Sequence, residues 1–161
     1  KQLRIHIVGD GSELYELKRI ADSKKLNNVI FYGRRPAEDM PILYAMADAM
    51  LITLTADKFI SLTLPGKMQT YMAARKPIIG VANGEIPQVI NDAGCGFCVN
   101  AENAEELAKI IRKFMDLSAE ERHNMGSNAR KYYVEHFTKT SFIDTLEKYL
   151  VQYAVGEANE S

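Results

Sequence analysis

Pro65-Gly66-Lys67 carries the strongest anion-binding signal in the chain. The spacing predicts a loop running into a helix whose first N–H groups lack partners and whose dipole end is positive. A lysine is unfavourable at that end unless an anion offsets it. The competing reading is a solvated surface lysine, and spacing alone weighs the two evenly. Gly9-Asp10-Gly11 follows an apolar strand pattern and opens a helix, as a phosphate-binding turn does. Leu14 stands where the last glycine of a dinucleotide fingerprint would be, and a short motif of this kind is more often only a tight turn. Arg34-Arg35, directly after Gly33, can hold a phosphate or stack on a base; paired surface arginines are ordinarily just solvated. Glu85 after Gly84 can accept sugar hydroxyls, or simply supply the acid of a helix first turn.

Cys95-Gly-Phe-Cys98 is a CxxC. A zinc site needs about four ligands, and His6, His123 and His136 show no paired ligand spacing. Redox chemistry needs the pair at a helix N-terminus, whereas these cysteines bracket a strand-like stretch. Small core residues are the better reading, and no metal site is expected. The histidines have no triad partners, and no GxSxG nucleophile elbow exists.

These residues must be positioned by a chain of 161 residues, 47% hydrophobic and 25% charged, which is ordinary usage for one globular domain. Twenty Lys and Arg against 21 Asp and Glu leave a net charge of −1, so nothing global favours nucleic acid or an anionic membrane. No apolar run approaches the roughly 20 residues of a membrane span, and the opening residues lack a signal peptide's core. The chain starts at Lys1 inside a strand pattern, so it is expected to be a piece of something longer.

Strands are predicted over 3–8, 29–32, 50–54, 77–81 and 96–99. Helices are predicted from a Ser12 cap through Ala21, around 40–47, over 67–74 and over 87–92. Asn103 caps the next helix, Ser118 and Glu121 form a capping box for another, and Phe142 to Tyr153 stripe a last amphipathic helix before a polar tail, 156–161. Residues 55–64 read as a loop. Strands and helices alternate five times, and short apolar strands of this kind are buried on both faces. The fold class is therefore α/β, a Rossmann-like parallel sheet with helices on both faces and a helical C-terminal tail. Ligands in such folds bind at the carboxyl ends of the strands.

At 64–81, LPGKMQTYMAARKPIIGV, the sequence resembles family 4 (group 1) glycosyltransferases of the GT-B fold. Supporting pieces follow in order: VGDG at 8–11, VIFYGRR at 29–35, ADAMLITL at 47–54, NGEIPQVINDAGCGFCV at 83–99 and NARKYY at 128–133. The resemblance covers nearly the whole chain. It implies the C-terminal, donor-binding half of such an enzyme, metal-independent and retaining, with a UDP- or GDP-type nucleoside diphosphate sugar as substrate and no cofactor. It implies that Gly33, Arg34 and Arg35 border the nucleobase and that Gly66 and Lys67 face the diphosphate; Pro65, Gly84 and Glu85 are counted with them as donor-binding residues. Gly9 and Gly11 are further phosphate-loop candidates; no catalytic residue is assigned. Thr70 stands where many members carry a ribose-binding glutamate, Leu62 falls near an earlier one, and Arg75 replaces a usual glycine.

The same resemblance implies a glycan or lipid-linked acceptor held by a preceding half, work in polysaccharide or cell-envelope assembly, and a cytoplasmic place, peripheral to the inner membrane face at most. It also implies that one strand–helix unit of this half is missing, leaving a slot between strand 3–8 and strand 50–54. Closing it would take direct pairing of those strands, or a dimer or strand exchange. The final helix, which often crosses to the other half, would leave part of its stripe exposed. The rivals are a flavodoxin-like interaction domain and a sugar-nucleotide epimerase; the latter would want a carboxylate and His cluster that is not seen.

Overall fold

The computed structural model describes residues 2–157, so the end of the tail, from residue 158, lies outside the described residues. The chain divides into two compact units, Lys1–Ala45 and Met46–Ser161. In the first, β1 (Ile5–Val8) pairs in parallel with β2 (Val29–Gly33), Ile5 opposite Val29 and Ile7 opposite Phe31, with α1 (Leu14–Ser23) between them in sequence. A short 3-10 turn (Ala37–Asp39) then leads into α2 (Met40–Met46). Ser12 does not cap α1. Glu13 occupies the cap position with helical backbone angles (φ −83°, ψ −2°), continuing the turn closed by Leu14 N–H on the Gly11 carbonyl. Side-chain capping needs an extended cap residue, which this turn does not provide.

The second unit holds a three-stranded parallel sheet, β3 (Met50–Thr53), β4 (Ile78–Val81) and β5 (Gly96–Val99), with β4 central and buried throughout. Between β3 and β4 lie α3 (Lys58–Ser61) and α4 (Gly66–Ala73), and α5 (Glu85–Ala93) links β4 to β5. The helical tail is α6 (Ala104–Asp116), α7 (Ala119–His136) and α8 (Lys139–Glu157). Asn103 caps α6 and the Ser118–Glu121 box caps α7, as predicted. Helix α5 starts two residues before the predicted 87–92, and α3 replaces part of the predicted loop. The predicted tail start at 156 is still helical.

Parallel sheets with helices are thus the architecture, but the strands form two sheets. Among the described residues β1 pairs with β2 alone, and β3 with β4 alone, so direct pairing of 3–8 with 50–54 is not made. The exposed apolar stripe expected on the last helix is seen: Phe142, Leu146, Tyr149, Leu150 and Tyr153 all face solvent.

Met68 and Met72, one turn apart on α4, are fully buried and join Ile78, Ile86, Ile90 and Cys95 in the core. Glycine is required at several contacts in and around this core, Gly80 and Gly126 among them. A Cβ on Gly80 would sit 2.6 Å from Cys98 Sγ and 2.9 Å from Ile90 Cδ1, so Cys98, its cross-strand neighbour, fills the space that Gly80 leaves. A Cβ on Gly126 of α7 would strike the Arg75 carbonyl.

Arg75 itself has φ +58°, the left-handed region where glycine is unstrained. The turn it makes ends α4, so the glycine of similar sequences has a steric reason. Arg75→Gly should leave stability level or raise it by up to about 1 kcal/mol, relief of left-handed strain opposed by backbone entropy. Arg75→Val should cost about 1–2 kcal/mol; urea unfolding of the two variants measures the difference.

Both cysteines are free thiols, Cys95 in the core and Cys98 half-buried. Burial pushes the Cys95 thiol up from 9.0 to about 12, and burial raises Cys98 as well. The folded state therefore holds its Cys95 proton to higher pH than the unfolded chain. Below pH 9 this adds nothing to stability; above it, stability falls as the unfolded thiol ionises first. Alkaline unfolding between pH 9 and about 12 should be less steep in Cys95→Ala than in the wild type. The same replacement should cost no more than a few kcal/mol at neutral pH, as removal of a small core side chain does.

Candidate functional site

In the first unit, the turns after β1 and β2 are tied together, with Gly9 N–H donating to the Gly33 carbonyl at 2.9 Å. Gly9 (φ +141°) and Gly33 (φ +67°) adopt backbone angles that side-chain-bearing residues rarely take. The Gly9 amide is thereby committed to the protein. A cleft of about 220 Å³ opens beside it, lined by Ile7, Val8, Gly11, Leu14 and Leu17 without a basic side chain. Arg34 and Arg35 are exposed after β2. The Arg35 guanidinium lies 5.9 Å from the Tyr32 ring, which stacks on His6 and meets its Nδ1 at 2.9 Å through the hydroxyl. That places one cation beside an aromatic face and leaves Arg34 reaching into solvent.

In the second unit, the carboxyl ends of β3, β4 and β5 carry the loops that hold the other candidates. Leu54 N–H donates to Val81 O and Ala82 N–H to Val99 O, each continuing the sheet by one residue. Beyond them, Ala101 N–H donates to Asn83 Oδ1 at 3.1 Å, and Ala56 N–H to Glu102 Oε1 at 3.3 Å. Glu102 adopts φ +63° in making that link. Asp57 caps α3 by accepting from Phe59 and Ile60 N–H. Helix α3 in turn rests on the start of α5, because the Ser61 carbonyl occupies the space of a Gly84 Cβ. The loop leading to Pro65 is thus fixed to the rim of the sheet.

Two helices start at this rim, and neither has a side-chain cap. Helix α4 follows Pro65, has no acid in its first turn, and carries the exposed Lys67, which makes no ion pair among the described residues. Helix α5 follows Gly84 (φ +77°) and opens on the exposed Glu85. By contrast α3, α6 and α7 are capped by Asp57, Asn103 and Ser118. Open N–H groups with a lysine and no acid can donate to an anion's oxygens; those of α5, with Glu85 beside them, favour a neutral hydroxyl-bearing group. Thr70, exposed one turn into α4, donates its hydroxyl to the Gly66 carbonyl at 3.0 Å. Its oxygen keeps lone pairs, so toward a ligand Thr70 acts as an acceptor.

Asp57, Asn83 and Glu102 build the rim without having been singled out as site residues. Asn83-Gly84 is a turn-forming dipeptide in the sequence, whereas the Glu102 link joins residues 46 apart and has no local signal. Among the described residues, no three or more His, Cys, Asp or Glu side chains gather as metal ligands. None of the described helices is long and apolar enough to cross a membrane.

The family of glycosyl transferases group 1 matches residues 1–132, and the chain belongs to it. A probable glycosyltransferase, WbjE of Pseudomonas aeruginosa, is 30% identical over 68% of this chain and 28% of its own length. The N-acetyl-alpha-D-glucosaminyl L-malate synthase of Bacillus anthracis is 28% identical over 89% of this chain and 36% of its own length. The chain therefore spans about a third of the curated relatives it matches. Among solved structures, HepE from Anabaena in complex with UDP superposes with a TM-score of 0.78 at 23% identity, over 93% of this chain and 41% of that one. The same protein has also been solved with UDP-glucose.

The close fit at Gly84 is the part of the rim most open to a direct test. Gly84→Ala combines a positive φ with a collision against the Ser61 backbone, and should destabilise the chain by about 2–3 kcal/mol. Amide spectra should show the disturbance spreading from α5 into α3, at Lys58–Ser61.

Proposed function

We propose that this member of the group 1 glycosyl transferases binds the donor, a nucleoside diphosphate sugar, for transfer to a glycan or lipid-linked acceptor held by another part of the full protein. The observation that carries the reading is the uncapped, acid-free start of α4 with Lys67 exposed beside it, in a chain of this family. In this reading the Gly66 and Lys67 N–H groups and the Lys67 ammonium take the diphosphate. Pro65 fixes the extended backbone before them. Thr70 accepts from a ribose hydroxyl, and Gly84 with Glu85 meets the sugar. Gly33, Arg34 and Arg35 border the base, while Gly9 and Gly11 shape the neighbouring turn.

UDP is the preferred nucleotide, since a structural relative has been solved with UDP and with UDP-glucose; a guanine nucleotide is the alternative. The transfer is retaining and needs no metal. Lys67 and the helix end instead offset the charge that grows on the leaving diphosphate, and positioning supplies the rest. The work belongs to polysaccharide or cell-envelope assembly, on the cytoplasmic side or at the inner membrane face. Association of copies through the open edge of β1 belongs to the same reading.

Titration of this chain with UDP and with uridine, by calorimetry or NMR, tests the assignment. UDP should bind with a Kd on the order of 0.1–1 mM, as suits a partial cleft. Lys67→Ala should cost about 1–3 kcal/mol for UDP, the range for a charge-assisted hydrogen bond, and leave uridine unchanged. Equal losses for the two ligands would remove Lys67 from the phosphate site. Sugar transfer by this chain alone should be undetectable, and measurable turnover would overturn the donor-half reading.

A further inference from the structure

Helix α7 carries two side chains that reach the far ends of the two helices opening on the rim. Arg130 Nη1 donates to the Ala73 carbonyl at the C-terminus of α4, at 3.0 Å. Asn128 Nδ2 donates to the Gly94 carbonyl at the C-terminus of α5, at 3.1 Å. Between them Ala129 is fully buried, and one turn earlier Gly126 lies against the Arg75 carbonyl. The backbone has already used the neighbouring acceptors of α4. Ala74, Lys76 and Arg75 N–H groups take the carbonyls of Thr70, Tyr71 and Met72, and Ala73 O is the next in line. The Arg130 guanidinium also lies 5.3 Å from the Tyr133 ring, which holds it over the helix end.

We infer that Asn128 and Arg130 are positioning residues, aiming the N-termini of α5 and α4 at the donor by fixing their C-termini; this rests on the donor-binding reading above. An eight-residue helix is about 12 Å long, so a tilt of about 5° at its C-terminus moves its N-terminus by about 1 Å. Displacement on that scale is enough to weaken contacts made only in one geometry. Both side chains are exposed, and their removal leaves the core under α4, Met68 and Met72, untouched.

The test compares Arg130→Ala, Arg130→Met and Arg130→Lys with the wild type at low temperature, where melting curves show each to be folded. Met keeps the aliphatic packing on Tyr133 without an N–H donor; Lys restores a donor and a cation. UDP should bind about three- to tenfold more weakly to the Ala and Met variants, and uridine by no more than about twofold, because Thr70 lies midway along α4 and moves about half as far as its start. The Lys variant should return to within about twofold of wild type. Amide exchange over residues 70–74, where N–H groups are bonded within α4, should quicken in the same two weakened variants without ligand. If the wild type binds UDP and the Ala and Met variants bind it equally well, the positioning role is overturned and the donor reading stands. Parallel losses for UDP and uridine mark general loosening and overturn it too. If the wild type binds no UDP at millimolar concentration, the donor reading fails and this inference with it.

Discussion

Every helix leaves backbone donors without partners at its start and backbone acceptors at its end, and the second unit treats those ends in opposite ways. The C-termini of α4 and α5 are closed by protein: a left-handed turn at Arg75, another at Gly94, and the side chains of Arg130 and Asn128. Their N-termini are left open at the rim, after Pro65 and Gly84. By contrast, the starts of α6 and α7 are capped by Asn103 and Ser118. Partnerless N–H groups at an exposed rim cost little while water serves them, and they stay available to a better acceptor.

That arrangement depends on a stiff platform. Helix α4 cannot slide while Met68 and Met72 are locked in the core, and Gly80 lets Cys98 and Ile90 close over the middle of β4 without a gap. The cysteine pair belongs to this packing. A thiol whose ionisation is pushed up to about 12 is a poor nucleophile and a poor metal ligand at neutral pH. The rim is then tied laterally by Asn83 to Ala101, Glu102 to Ala56 and Ser61 against Gly84. Loops are usually the mobile part of a fold; here three of them are joined by two side-chain-to-backbone hydrogen bonds and one close contact.

Local signals were readable in the sequence and long-range ones were not. The caps at Asn103 and Ser118 depend on residues three apart, and the strands over 50–54, 77–81 and 96–99 show their apolar runs directly. Ser12 misled because capping needs an extended backbone, and the Gly11 turn had already set helical angles at Glu13. Helix α3 has four residues, too few for a period to show. The start of α4 was legible from Pro65-Gly66-Lys67 alone. The links through Glu102, Asn128 and Arg130 join residues 46, 34 and 57 apart, and the fold must exist before they do. NARKYY belongs to the family resemblance, and its Asn128 and Arg130 are helix-end donors that no local spacing announces.

For a donor-binding half, an open helix start is an economical device in one physical sense. The bond from sugar to diphosphate breaks in the transition state, and negative charge on the leaving phosphate grows as it does. N–H groups and an ammonium already pointed at that phosphate gain strength as the charge develops, and need no reorganisation to do so. The same contacts hold the free nucleoside diphosphate at least as well as the intact donor, because the leaving group carries its full charge once released. Tight product binding would then oppose turnover, and a helix start exposed at a rim, with a flexible lysine in place of a buried rigid clamp, keeps that binding weak enough to reverse. In this reading the exposed end of α4 adds to the weakness that a partial cleft already gives, and the same exposure leaves its N–H groups open to a leaving diphosphate.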